Sequence, residues 1–211
     1  MPRAATDLVQ DRNTTRVNNL LSRQAYGVSI DVFPLQQGNS HKAIDIYDNA
    51  MFLIAISNYV ALVAKDDPKA ADRWRSMHAQ IRKSVRQHLW DSKHNKFIPH
   101  IYLDGSPFPA DFDERRVHYH GGTAVAIEAG LLSTDEIRAV LNQMRENVRA
   151  SGAASIGLTI YPPYPRGFFK NPSMGPYSYQ NGGDWTWFGG RMIQTLVEHE
   201  FVAPAKARRN Q

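Results

Sequence analysis

The stretch Tyr179-Gln180-Asn181-Gly182-Gly183-Asp184-Trp185-Thr186-Trp187 lies where a long loop meets a helix. It combines amide side chains, two glycines, a carboxylate and two indole rings. These residue types are typical of sugar binding, because flat aromatic faces stack on the apolar side of a pyranose while amides and carboxylates bond its hydroxyls. The alternative is a glycine turn in which Asp184 caps a helix and the tryptophans are core residues. The position of this junction among the helices decides between the two interpretations.

Hydrophobic periodicity predicts five helices of two alternating kinds. Three are apolar almost all the way round and should be buried on more than one side. Two carry apolar residues at three- and four-residue steps and should keep one exposed face. The first kind covers residues 45–64, 122–130 and 185–201, and the second covers residues 69–90 and 134–150. Ser133 and Glu136 form a capping box at the start of the 134–150 helix.

The connections between the helices are uneven in length. Short turns at residues 65–68 and 131–133 follow buried helices, whereas long segments lead into them, at residues 26–44, 91–121 and 151–184. Short turns join antiparallel neighbours, so the buried helices should run parallel, with all long loops at one end. These loops hold more than half of the aromatic residues. Small hairpins are expected within them, at Phe97–Leu103 around an Asp104-Gly105 turn and at Ser155–Tyr161.

The 211-residue chain is interpreted as one domain, since its composition shows no break. Residues 1–25 are poorly defined by pattern, and residues 203–211 form a basic tail that supplies much of the net charge of +5. A further basic cluster on the 69–90 helix is interpreted as a solvated face. Without a nucleic-acid-binding motif, nucleic acid is not expected as a partner.

Other classes are excluded on composition. The chain has no cysteine, which removes disulfides and thiolate catalysis. Polar residues interrupt the apolar 45–64 helix, so no membrane span is expected. No signal peptide is visible in the polar N-terminal segment, and we therefore expect a cytoplasmic protein.

Alternating inner and outer helices with aromatic loops at the inner N-termini describe an all-α, α/α toroid with small β-hairpins in its loops. The run 179–187 (YQNGGDWTW), continuing into FGGRMIQTL, resembles the Tyr-Gln-Asn-Gly-Gly-x-Trp segment of the six-hairpin glycosidase superfamily. Residues 44–55 (IDIYDNAMFLIA) and 160–164 (IYPPY) also resemble that family, which includes amylo-α-1,6-glucosidases and trehalase-like enzymes. Complete members form a six-hairpin barrel. This chain resembles about half of one, which implies a missing half or a homodimer as partner.

The resemblance implies a glycoside hydrolase-like domain that binds an oligosaccharide or glycoside and hydrolyses it by an inverting, two-carboxylate mechanism. It places the acid at Asp45 or Asp48 and gives Asp184 the role of base or hydroxyl acceptor. A helix N-terminus favours the ionised form, so these groups serve as acids only where burial outweighs the dipole. The structural alternative is that they cap their helices.

A second catalytic carboxylate, often Glu in this family, has no clean equivalent here. Loop acids are Asp31, Asp111, Asp113 and Glu114. Expected substrate contacts are Tyr179, Gln180, Asn181, Trp185, Trp187, His118 and His120. The two histidines could instead hold a metal, but no third ligand lies nearby in sequence, so neither metal nor cofactor is expected. A non-catalytic carbohydrate-binding module and a helical scaffold that holds a peptide remain as alternatives.

Overall fold

The computed structural model describes residues 43–103, 105–106, 110–166, 172–199 and 201. This part of the chain is mostly helical with small antiparallel sheets, which confirms the mainly-α prediction. Its α-helices are α1 Ile46–Val63, α2 Pro68–His88, α3 His120–Glu128, α4 Thr134–Ser151 and α5 Thr186–Glu198. All five predicted helices are therefore present, with bounds shifted by at most a few residues. The predicted N-terminal segment 1–25 and the basic tail 203–211 lie outside the described residues.

Local sequence signals fix the helix ends. The carboxylate of Asp45 accepts a hydrogen bond from the Asp48 backbone N–H at 2.8 Å and caps α1. Ser133 and Glu136 form the predicted capping box on α4. Gly152 ends α4 with φ +71°, a left-handed conformation that glycine adopts without steric cost. These caps satisfy backbone groups that would otherwise lack partners.

The helices pack around one principal core. Helix α1 packs against α2 and α3, and α3 also packs against α5. Residues 120–127 of α3 are buried throughout. Leu53, Val85, Ile127, Met144 and Met192 are among the fully buried side chains of this core. Burying each such side chain is worth roughly 1.5–3 kcal/mol, so the core holds α3 firmly between its neighbours.

The C-terminal half of α1 and one face of α5 are exposed, contrary to the prediction of burial on more than one side along their whole length. In the C-terminal half of α1, Tyr59 is 41% and Leu62 is 78% exposed. On α5, Ile193 is 56% and Val197 is 57% exposed. Among the described elements, α1 has its most extensive packing against α2 and α3. By length and composition alone α1 could cross a membrane, and 33% of it is buried within the protein.

The short strands tie the long loops together. Strand β1 (Ala43–Asp45) pairs antiparallel with β4 (His100–Tyr102), and β5 (His118–Tyr119) pairs antiparallel with β6 (Ile160–Tyr161). Within the described ranges, β2 (Trp90–Asp91) and β3 (Lys96–Phe97) form a local hairpin. The predicted extended pieces 97–103 and 155–161 do contain strands, but β4 and β6 pair with distant segments instead of closing the predicted hairpins. Asp104, in the predicted turn, lies outside the described residues. Two-residue strands are marginal alone, and pairing between loops satisfies their backbone groups near the core.

Candidate functional site

A cavity of about 230 Å³ opens at the N-terminal ends of α1, α3 and α5. The N-cap residues of these helices, Asp45, Tyr119 and Trp185, all line it. The other lining residues are Tyr47, Pro99, His100, Val117, Thr159, Ile160, Tyr164, Met174, Gln180, Trp187 and Phe188. Two of the long segments, 91–121 and 151–184, therefore contribute to one wall. Of the third, 26–44, the structure describes residues 43 and 44, which do not line the cavity.

Aromatic rings form much of that wall. The ring centroids of Trp187 and Phe188 lie 4.8 Å apart, and Tyr47 lies 6.1 Å from Trp187 and 6.3 Å from Phe188. The Arg191 guanidinium lies 4.2 Å from the centroid of the Trp187 ring. Trp187 is still 42% exposed, so part of its ring is available to a ligand. The Trp185 indole N–H donates to the backbone carbonyl of Tyr179 at 2.9 Å, which fixes this ring in place.

Asp45 is the carboxyl group that the described residues contribute to the cavity wall. It is 3% exposed. Burial raises the pKa of the Asp45 carboxyl, although the charge of His100 and hydrogen bonds from the backbone N–H groups of Asp48 and Tyr47 lower it. Burial thus outweighs the helix N-terminus at this position. Asp45 is both the cap of α1 and a group that can carry a proton into the cavity.

Asp48, one turn further along α1, is 6% exposed and does not line the cavity. Its Oδ2 atom has no hydrogen-bond partner within the described residues. Burial, followed by the nearby Asp45 carboxylate, raises the pKa of Asp48 to about 9. The two carboxyl groups titrate as a pair, which therefore holds at least one proton near neutral pH. Perturbed buried acids of this kind are concentrated at functional sites.

His100 is a cavity residue that the sequence analysis missed. Its backbone lies opposite Asp45 in the register of β1 and β4. Its Nδ1 atom lies 2.9 Å from Oε1 of Glu114, one of the loop acids, whose side chain is 12% exposed. No local pattern identifies His100, because its relation to Asp45 depends on strand pairing between distant segments. The sequence did place His100 in a segment predicted to be extended, residues 97–103, and this was the one signal that could have pointed to it.

Some residues of the 179–187 stretch line the cavity, and others hold its loops together. Gln180, Trp185 and Trp187 line the cavity, but Asn181 and Asp184 do not. Asn181 is fully buried, and its side-chain amide bonds the backbone N–H and C=O of Tyr164 at 2.7 and 3.1 Å. It is thus not placed to contact a ligand.

Asp184 and Tyr179 also contact other parts of the protein and do not line the cavity. The exposed Asp184 carboxylate accepts hydrogen bonds from the Ser155 backbone N–H at 2.7 Å and hydroxyl at 2.6 Å. It anchors the preceding loop and does not cap α5, whose N-cap is Trp185. The Tyr179 ring packs edge-on against Trp185 with centroids 5.1 Å apart, outside the lining. Asp184, the expected base or hydroxyl acceptor, is therefore not part of the cavity wall.

His118 and His120 line a smaller recess with Lys96 and Gln143 and do not line the main cavity, although Tyr119 borders both. Their rings stack with centroids 5.9 Å apart, and His120 Nε2 lies 3.0 Å from Asn147 Nδ2. Burial lowers the pKa of His118 to about 4 and that of His120 to about 3. Both rings are therefore neutral at physiological pH. Within the described ranges no group of three potential ligands from His, Cys, Asp and Glu could hold a metal ion.

No protein-family model matches the chain, and no curated protein is significantly similar to it.

Proposed function

We propose that this protein binds a glycoside or short oligosaccharide in the cavity at the N-termini of α1, α3 and α5. The observation that carries the proposal is the composition of the wall. Several aromatic rings, including Trp185 and Trp187, line the cavity together with Asp45, a carboxyl group whose pKa burial raises, and with Gln180 and His100 as further polar groups. Sugar rings combine apolar faces with hydroxyl groups at their edges, and this wall offers contacts to both.

The helix arrangement supports an α/α toroid as the architecture of this site. Helices α1, α3 and α5 lie side by side in that order, and the one-sided helix α2 packs on α1. The N-terminal ends of the three inner helices line one cavity. We propose that they form an arc of a barrel of the six-hairpin glycosidase kind. The exposed faces of α1 and α5 are the edges at which such an arc would continue.

The chemistry proposed for the site is that of a glycoside hydrolase. Hydrolysis needs one carboxyl group to protonate the leaving oxygen and a second to activate water or attack the sugar. Asp45, with its raised pKa, has the properties of the acid. Asp48 lies next to it, outside the wall, and its pKa is also raised by burial and by the neighbouring Asp45 carboxylate. The partner carboxylate would come from residues beyond the described ranges, such as Asp31, or from another polypeptide.

A carbohydrate-binding domain without catalysis is the second candidate. It is favoured by the finding that Asp45 alone, among the carboxyl groups of the described residues, lines the cavity. The two candidates share the saccharide ligand and differ in whether the bound glycoside is cleaved.

The proposal is tested by titrating the full chain with maltotriose, isomaltotriose, cellotriose and trehalose, using isothermal calorimetry and saturation-transfer NMR. Trp187→Ala should weaken binding of the tightest of these by about 10-fold, since an aromatic contact is worth roughly 1 kcal/mol or more. Tyr59→Ala is the matched control, because Tyr59 is 41% exposed, against 42% for Trp187, and lies outside the cavity. Absence of binding at millimolar concentration would refute the proposal.

Turnover is measured on the same saccharides by quantifying released reducing sugar or glucose. Cleavage that is lost in Asp45→Asn, with binding retained, would establish the hydrolase. Binding without cleavage would establish the carbohydrate-binding domain.

A further inference from the structure

Glu114 lies behind the cavity wall, where three hydrogen bonds meet. Its Oε1 atom lies 2.9 Å from His100 Nδ1 and accepts from the hydroxyls of Tyr102 at 2.8 Å and Tyr164 at 2.6 Å. The three donors come from two different loops. Hydrogen bonds to a carboxylate are roughly twice as strong as neutral ones. Glu114 does not itself line the cavity, but it holds two residues that do, His100 and Tyr164.

The short turn that carries Glu114 is itself well defined. Glu114 begins a 3₁₀ turn, Glu114–Arg116, and the Asp113 carboxylate accepts from the Arg115 backbone N–H at 3.1 Å. The Glu114 side chain is 12% exposed and that of His100 is 14% exposed. A hydrogen bond to a charged group in such a shielded place is worth more than one at the surface.

These contacts leave one nitrogen of His100 for a ligand. Nδ1 is directed to Glu114, so Nε2 is the ring nitrogen that remains for the cavity. Asp45 is the cross-strand neighbour of His100, and opposite residues in an antiparallel pair have Cβ atoms about 4.5–5.5 Å apart. The Asp45 carboxyl group also accepts hydrogen bonds from the backbone N–H groups of Asp48, at 2.8 Å, and Tyr47. His100 and Asp45 are therefore cross-strand neighbours that both line the cavity.

The groups that face His100 come from every element packed against it. They are Asp45 on β1, Glu114 on the 3₁₀ turn, Tyr102 on its own strand, and Tyr119 on β5 with its ring centroid 6.3 Å away. These described neighbours are acidic or neutral. Burial lowers the pKa of His100, but the hydrogen bond and charge of Glu114, together with the charge of Asp45, outweigh burial and raise the pKa overall.

We propose that His100 is a ligand-binding residue that donates a hydrogen bond from Nε2 to a saccharide oxygen beside Asp45, and that Glu114 positions it. This inference rests on the proposed saccharide function and adds the polar contacts that the sugar would use. The charge state matters for the contact. A protonated imidazole donates from both nitrogens, whereas a neutral ring that donates from Nδ1 to Glu114 can only accept at Nε2.

His100→Asn tests the contact directly. Asparagine can place its amide nitrogen where Nδ1 lies and keep the bond to Glu114, but it has no atom at the Nε2 position. We expect the affinity of the full chain for the tightest of the four saccharides above to fall by about 10-fold, as calorimetry measures it. His94→Asn is the matched control, because His94 forms a similar carboxylate pair, with Asp91 at 2.6 Å, on the surface. Its affinity should equal that of the unmodified protein.

Glu114→Gln tests the positioning role. The amide keeps an acceptor for His100 but removes the charge, so the His100 pKa should fall. The histidine titration midpoint, followed by two-dimensional ¹H–¹⁵N NMR, and the pH at which saccharide affinity declines should both move to lower pH. If Glu114 only supported the local structure, its replacement would change neither midpoint. If both midpoints stay unchanged, Glu114 does not position His100 through its charge.

The outcomes separate the two proposals. If the unmodified protein binds a saccharide and His100→Asn binds it equally well, the His100 contact is refuted while the saccharide function stands. If the unmodified protein binds none of the four sugars, both proposals are refuted.

Discussion

Replacing Asp48 by asparagine should stabilise the protein at neutral and alkaline pH. Asp48 is 6% exposed, Oδ2 lacks a partner within the described residues, and burial raises its pKa from 3.8 to about 9. The unfolded chain ionises this group near pH 4, but the folded protein does not. Its stabilising effect is therefore fully present below the unfolded pKa and is lost as the pH rises towards the folded pKa.

The size of the effect follows from proton linkage. Each pH unit between the two pKa values costs about 1.4 kcal/mol of folding free energy. Between pH 5 and pH 8 the wild-type protein therefore loses roughly 4 kcal/mol through Asp48, and Asp48→Asn does not. Asparagine is nearly isosteric with the protonated acid, so the packing of α1 should be preserved.

Urea denaturation followed by far-ultraviolet circular dichroism measures this difference at the two pH values. The gain in unfolding free energy of Asp48→Asn over wild type should be larger at pH 8 than at pH 5 by about 4 kcal/mol. Asp66→Asn, which alters an exposed carboxylate in the turn after α1, should show no such pH dependence. An equal gain or loss at both pH values would refute the reasoning that burial holds the proton on Asp48.

Three further substitutions test the scaffold of the cavity by thermal and urea unfolding. Asn181→Ala should lower the unfolding free energy by about 3 kcal/mol, since it removes three buried hydrogen bonds, two of them to Tyr164. Gly183→Ala should cost at least about 2 kcal/mol, because a Cβ there would overlap the carbonyl oxygen of Tyr179. Gly190→Ala, inside α5 with open space around it, should instead stabilise by about 0.5–1 kcal/mol. The changes in unfolding free energy for Gly183→Ala and Gly190→Ala should have opposite signs. Equal changes would contradict the expectation that the space around each glycine decides the effect.

Helix positions could be predicted from the sequence because their signals are local. The one-sided pattern of α4 and its capping box depend on neighbours within four residues, and both are confirmed. Burial of α1 was only partly predictable. Hydrophobicity shows that a face such as that of Tyr59 and Leu62 can be buried, but it does not show that a neighbour covers it.

The candidate site was harder to predict than the helices. The aromatic residues of the cavity, such as Trp187, could be inferred from composition and from the position of their loop. His100 could not, because its role depends on strand pairing with Asp45 across more than fifty residues. The amide of Asn181 has the same chemistry whether it meets a sugar or the backbone of Tyr164, so sequence alone does not separate these roles. Only packing does.

The pairing of β1 with β4 and of β5 with β6 also determines the order in which the cavity is assembled. Contacts between segments this far apart require closure of long stretches of chain, and such contacts form late in folding. The α1–α2 hairpin needs only a short turn and can form early. A nascent or refolding molecule should therefore gain most of its helix before it gains the cavity, and the sugar affinity proposed above should be acquired last.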